Sequence, residues 1–319
     1  MGSHTGDTVV RVKKPVILHC YLGTDENSVG EFKASKLQKS EPSRPVHLKL
    51  RWPHHGTSKP FELVAELLLA EGSGLEKVTM LQVDGFVGDA SSSGTLALAK
   101  VISNARNLRT LRFGILNSLS ATLLDAAQSE SGLVEITVGM QPAELDEKTE
   151  QSLVELVARN THTLECLSLN YLKMGNEPFN QILGKILQED APKLKHLHAT
   201  NVRISDASSV AKLLRSSAPL ETLELIGNDF DCDSAKVIAA AMSGHKTLEE
   251  LYLSNNSLGE IGTKVIVSAS KELLESQNKL SKVQLIQTGL DHDRIDMIAS
   301  SLSGPVKSVI SVVHPLEAR

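Results

Sequence analysis

Cys166, His196 and His198 are the residues of this chain best suited to metal chemistry, because thiolate and imidazole are ligands that zinc takes. If the segments around them are neighbouring strands, equivalent side chains stand ~5 Å apart. The spacing places no fourth ligand, and two histidines alternating along one strand are ordinary surface residues of a sheet, so no metal is expected. The same placement sets His198 opposite Glu224, where a hydrogen bond would favour the protonated imidazole.

Other chemistry is thinner. There is no GxGxxG, GxxxxGK[ST] or HExxH, and no GxSxG set between a strand and a helix. His54 and His55 precede Gly56 with no nucleophile placed beside them. No cofactor is implied and no enzyme activity is expected. Cys20, Cys166 and Cys232 are too few and scattered for a disulfide framework, and an odd number leaves at least one thiol free. A reducing compartment fits, and the expectation is cytoplasmic. The apolar run Pro15 to Leu22 follows Lys13 and Lys14 but lacks a cleavage site, and no stretch approaches the ~20 residues of a membrane span.

The 319 residues are 41% apolar and 22% charged, the composition of a folded globular chain. Residues 1–60 hold ten Lys and Arg against five Asp and Glu, and the remainder 23 against 33. An acidic body argues against nucleic acid, which calls for a basic stripe.

Any side-chain constellation must be positioned by a repeated element, and one is present. An apolar residue, two variable ones, an apolar one, a variable one and another apolar one recur from Leu75, Leu108, Leu133, Leu164, Leu194, Leu220, Leu248, Leu280 and Val306, every 25 to 33 residues. Between them, apolar residues follow the i, i+3, i+4, i+7 spacing of a helix face, as in Leu98, Val101, Ile102, Ala105 and Phe179, Ile182, Leu183, Ile186. Asp206, Asp233 and Asp293 stand at or just before such helix starts, where a carboxylate accepts orphan N–H groups. Strand and helix therefore alternate. Neither can bury its apolar face alone, so the units stack into an α/β leucine-rich-repeat solenoid of about nine to ten repeats, a curved parallel sheet on the concave side and helices on the convex side.

The best repeat, Leu251-Tyr252-Leu253-Ser254-Asn255-Asn256-Ser257-Leu258-Gly259-Glu260-Ile261-Gly262, is similar to the LxLxxNxLGxxG pattern of the ribonuclease-inhibitor-like leucine-rich repeats. That class also includes Ran GTPase-activating proteins and the repeat domain of tropomodulins. The resemblance covers roughly residues 45–319 and implies a recognition surface for a protein partner. The turn asparagine is kept at Asn228 and Asn256 but replaced by Val83, Leu116, Leu172, Val202 and Thr288, which predicts irregular curvature there.

Residues 1–44 read as an N-terminal cap and flexible basic loop, with Val9 to Val12 and Pro15 to Leu22 as one or two strands over the open sheet edge. Residues 45–319 read as the solenoid, opened by a partial repeat at Val46 to Leu50. The end, Pro305 to Val313, reads as the other cap.

Positions 3 and 5 of each phrase point to the concave face. Lys49, Lys77 and Arg112 make its beginning basic and Glu224 and Glu250 its end acidic; of these polar positions Lys77, Arg112, His196, His198, Glu224, Glu250 and Lys282 are the candidate binding residues. Tyr252 and, at strand exits, Trp52 and Tyr171 are the candidate aromatic anchors. The expected function is a non-catalytic interaction scaffold or adaptor that holds a protein on the concave face and rim, with neither nucleic acid nor membrane, and a monomer. One alternative is a GTPase-activating protein. Those relatives use an arginine or polar residues on an early post-strand loop and carry a long acidic tail. Here Asp84 to Gly94 and Leu116 to Thr122 hold no Arg or Lys, and the comparable Arg203 sits in a middle repeat. The other alternative is a secreted effector or inhibitor acting inside another cell.

Overall fold

The computed structural model describes residues 14–21, 44–51, 59–85, 92–116, 120–127, 132–276 and 279–313. Eleven strands pair in the order of the sequence into one sheet: β1 Val16–Tyr21, β2 Val46–Arg51, β3 Val78–Gly85, β4 Thr110–Leu116, β5 Glu135–Ala143, β6 Cys166–Leu172, β7 His196–Thr200, β8 Thr222–Glu224, β9 Glu250–Tyr252, β10 Lys282–Gln284 and β11 Ile310–Ser311. Each neighbouring pair is parallel. The returns are helical: α1 Lys59–Leu69, α2 Ser93–Asn104, α3 Ala121–Ala126, α4 Glu147–Asn160, α5 Asn176–Ile186, α6 Ser208–Arg215, α7 Cys232–Met242, α8 Gly259–Glu275, α9 His292–Ser300 and α10 Pro305–Val309. This is a leucine-rich-repeat solenoid in which β1 extends the sheet beyond the ten repeats expected. Val9 to Val12 lie outside the described residues.

The core follows from register. Leu48, Leu81, Leu111, Ile136, Leu167, Leu197, Leu223, Leu251, Val283 and Ile310 are Cα partners from strand to strand. All are at most 2% exposed. A full burial of such a side chain is worth roughly 1.5–3 kcal/mol, and each makes its burial from the strand on either side. The predicted helix faces meet this row: Leu98, Val101, Ile102, Phe179, Ile182, Leu183 and Ile186 are buried.

Two phrases sit elsewhere than expected. Leu75 is buried, but it lies in a 3-10 turn, Leu75–Lys77, ahead of β3. The motif also fits three residues later as Val78, Leu81 and Val83, and pairing of Leu81 with Leu48 and Leu111 selects that register. Val83 is therefore a core strand residue and not a turn position. At the other end Ile310, not Val309, pairs with Val283. Residues 305–309 are taken up by α10, and a slip of one residue exchanges the two faces of a strand.

Caps also move. Asp206 accepts from the Ser208 N–H at 2.9 Å as expected. For α7 and α9, though, the capping carboxylates are Asp231 and Asp291, while Asp233 and Asp293 lie inside the first turn, where they oppose the helix dipole.

The turn asparagines stitch neighbouring repeats. Asn256 Nδ2 donates to the carbonyls of Leu225, Leu253 and Ser254, and its Oδ1 accepts from the Phe230 N–H. Asn228 Oδ1 accepts from Val202 N–H at 3.1 Å, so the turn that lacks its own asparagine is served by the next one. Irregularities of strand pairing fall at Val46/His47, Val83/Gly85, Phe113/Ile115 and Gly139/Ala143, all within β2–β6, where no such asparagine is found. A third stitch was not anticipated: Asn160, at the end of α4 and fully buried, accepts from the Gly132 and Leu133 N–H groups at 2.8 Å each.

Removing such a side chain leaves several buried backbone groups unpaired, each worth ~1–3 kcal/mol. Asn256→Ala should therefore lower unfolding free energy by about 2–4 kcal/mol, read from urea denaturation. A loss below about 0.5 kcal/mol would show the ladder to be dispensable.

Candidate partner-binding face

Register defines the concave face. One row runs Ile17, His47, Met80, Thr110, Glu135, Cys166, His196, Thr222, Glu250 and Lys282; the next runs His19, Lys49, Gln82, Arg112, Thr137, Ser168, His198, Glu224, Tyr252 and Gln284. Nine of the ten candidate positions lie among the described residues; Trp52 lies outside them. Lys77 is not on this face. It ends the 3-10 turn before β3, and the shifted register puts Met80 and Gln82 in the places assigned to Lys77 and Thr79.

Charges on the face are mostly matched across strands. Arg112 Nε donates to Glu135 Oε1 at 2.6 Å, and that bond raises the guanidinium's pKa above its ordinary value. His198 Nδ1 lies 3.2 Å from Glu224 Oε2, and Thr200 Oγ1 donates to the other carboxylate oxygen at 2.6 Å. Burial opposes the charged form of His198, but hydrogen bonding to Cys166 and Glu224 outweighs it and raises the imidazole to about 9. The hydrogen bond from His198, against the cost of burial, holds Glu224 below its usual range. The expected His198–Glu224 bond is thus present.

His196 turns to Thr222, with 3.2 Å between Nδ1 and Oγ1, and its ring stacks on His198 at 6.5 Å between centroids. Among the described residues no group of three His, Cys, Asp or Glu side chains is arranged to hold a metal ion.

The aromatic candidates separate. Tyr252 is folded into its own neighbourhood: its hydroxyl donates to Glu250 Oε2 at 2.9 Å and Lys282 Nζ stands 5.0 Å above its ring. Burial, then the bond to Glu250, pushes its phenol up. Tyr171 is the opposite. It is 45% exposed at the exit of β6. Its φ of 60° is a left-handed conformation, shared by Gly85, Asn201, Gly227, Asn255 and Gln287 at the same place in their repeats. At Gly227 a Cβ would stand 2.2 Å from Asn201 Oδ1, so a larger residue there would displace that amide. A bulky residue in this region costs ~1–2 kcal/mol, so Tyr171 is held against its own preference. Arg203, two residues past Asn201, is also left-handed, with φ 60°, and sits 3.6 Å from Glu144 Oε1.

Two edges flank the face. At the strand exits, a groove of about 430 Å³ is lined by Asn255, Ser257, Gln287, Gly289 and Leu290. At the strand entrances, a groove of about 460 Å³ is lined by Arg215, Ser217, His245 and Lys246. His245 serves the fold, its Nδ1 accepting from the Leu248 N–H at 3.2 Å. Burial pushes its imidazole down, so its contribution is lost as the medium is acidified below 6.5.

The His198 pair carries the opposite pH signature. Below pH 6.5 the imidazole is protonated both folded and unfolded and the pair contributes in full; the contribution is lost as pH rises towards about 9. Unfolding free energy should fall across that window, and His198→Gln should flatten the fall; an unchanged slope in the variant would remove the pair as its cause. Tyr171→Asn, relieving the left-handed strain, should raise stability by about 1 kcal/mol, and a loss of that size would mean the ring contributes packing that outweighs the strain.

No protein-family model matches the chain. A chain of the crystal structure of the Rad7 and Elc1 complex in yeast aligns with 96% of this chain and 78% of its own length, at 12% identity and a TM-score of 0.47. A likeness that low carries no weight for function.

Proposed function

We propose that this chain is a non-catalytic protein-interaction module that holds a protein partner on its concave sheet face and strand-exit rim. The observation that carries the reading is Tyr171, an exposed ring kept in a backbone conformation that asparagine or glycine adopts at less cost. Large rings presented at a rim supply contact area for little side-chain entropy, the property of binding anchors. The turn imposes that conformation along the stack; what is particular to this repeat is a large, half-exposed ring where the other described turns carry Gly, Asn or Gln.

Around that anchor the face is preorganised. Arg112 with Glu135, His198 with Glu224 and Thr200, and Tyr252 with Glu250 hold their side chains in place before a partner arrives. His196 and Lys282 extend the same surface. The turn asparagines and the Leu258-Gly259 turn support the ribonuclease-inhibitor-like class: Gly259 has φ 65°, and a Cβ on Gly262 would meet Ala235 Cβ at 3.0 Å. Cytoplasmic residence and a monomeric state remain part of this reading, and the free thiols of Cys166 and Cys232 fit a reducing compartment. The GTPase-activating alternative draws no support from Arg203, which lies against Glu144.

The test is affinity capture from a lysate with wild type and Tyr171→Asn side by side, with thermal unfolding of both. A partner lost from a variant that is at least as stable as wild type supports the reading. Retention of every partner by the variant would sink Tyr171 as the anchor.

A further inference from the structure

The two signs of charge on the concave face are treated differently. Its carboxylates have internal partners: Glu135 has Arg112, Glu224 has His198 and Thr200, and Glu250 has the Tyr252 hydroxyl. Lys49 and Arg51, both on β2, have no carboxylate at ion-pair distance among the described residues. The reason is local. Arg51 is the register partner of Asp84, but that carboxylate is turned towards β4, accepting from Gln82 Nε2 at 2.8 Å and lying over Gly114, where a Cβ would stand 1.7 Å from its Oδ1.

The expected balance of a basic beginning and an acidic end is therefore not what a partner meets. At the acidic end Glu224 is paired with His198 and Glu250 holds the Tyr252 hydroxyl, whereas among the described residues the basic end keeps Lys49 and Arg51 without a carboxylate. On the neighbouring strand β1, Ile17 is 53% exposed on the same face, in the row of His47, one row before Lys49 and two before Arg51. An aliphatic side chain left in water with two cations in the successive rows beyond it is a surface complementary to an extended segment carrying an aliphatic residue and then carboxylates.

We infer that the β1–β3 part of the concave face docks an acidic, extended segment of the protein partner, with carboxylates on Lys49 and Arg51 and an aliphatic side chain against Ile17. This rests on the protein-binding reading and names the chemistry of the partner. The net charge of −5 disfavours a polyphosphate strand as the occupant of so small a basic area. His47 supplies a local reporter: burial, then the charges of Lys49 and Arg112, keep its imidazole below its ordinary value, so carboxylates arriving beside Lys49 should raise it.

The experiment uses the full chain and a fluorescein-labelled glutamate-rich peptide containing leucines, with its glutamine-for-glutamate counterpart and a single-stranded RNA as comparators. Binding of the glutamate peptide should fall more than tenfold in Lys49→Glu, Arg51→Glu, weaken as salt is raised, and shift the His47 titration followed by NMR to higher pH. Lys49→Gln, Arg51→Gln replaces the double variant if thermal unfolding shows the latter misfolded. No binding of the glutamate peptide, equal binding of the glutamine peptide, an unchanged affinity in the variant, or tighter binding of RNA would each overturn the inference. If capture of a partner still depends on Tyr171 while the peptide fails, the acidic-segment assignment falls and the binding module stands.

Discussion

Register between parallel strands is the constraint on which the molecule depends. Every repeat exposes an apolar strand face and an apolar helix face that it cannot cover, and only a neighbour aligned residue for residue closes both. The row from Leu48 to Ile310 is the product of that alignment. Everything on the concave side inherits it, because a side chain that alternates away from a core residue is placed as firmly as the core residue itself. His198 meets Glu224, and Arg112 meets Glu135, because Leu197 meets Leu223 and Leu111 meets Ile136.

The same alignment makes the polar face a lattice of cross-strand pairs. Such pairs each contribute little to stability at an exposed surface, ~0.2–1 kcal/mol, yet they limit the rotamers open to the side chains that form them. A face in this condition presents fixed donors and acceptors, and it spends less conformational freedom when a partner is bound. Tyr171 and the β2 cations stand outside the lattice, Tyr171 through an unfavourable backbone and Lys49 and Arg51 through the turned carboxylate of Asp84.

Much of this was legible in the residues. The phrase repeated from Leu108 to Leu280 marked each of those strands, the helical spacing marked the buried faces of the returns, and the His198–Glu224 bond followed from counting along two phrases. The failures have physical causes. Leu75-x-x-Val78-x-Met80 and Val78-x-x-Leu81-x-Val83 both satisfy the motif, since its first interval is three residues; only the partner strand chooses between them, so Lys77 was placed on the wrong element. Val306 was displaced because Pro305 opens a short helix that consumes the apolar residues read as strand. Asn160 gave no signal, because an asparagine ending a helix resembles any other polar residue until the loop it reaches is in place. Tyr171 was named for its ring, whereas its left-handed backbone is a property of the turn shared along the stack.

Strand length also changes along the stack, from seven to nine residues in β3–β6 to three in β8–β10. The helices follow no such trend, from eight residues in α6 to 17 in α8 and nine in α9. Backbone bonds between repeats nevertheless continue past the short strands, from the Leu225 N–H to the Tyr252 carbonyl, from Gly227 to Ser254 and from Asn255 to Ile286. The shorter strands are therefore not looser joints, because main-chain bonds and the amides of Asn228 and Asn256 together tie the later turns. A partner that spans the stack would meet one continuous hydrogen-bonded seam and not two parts of different give.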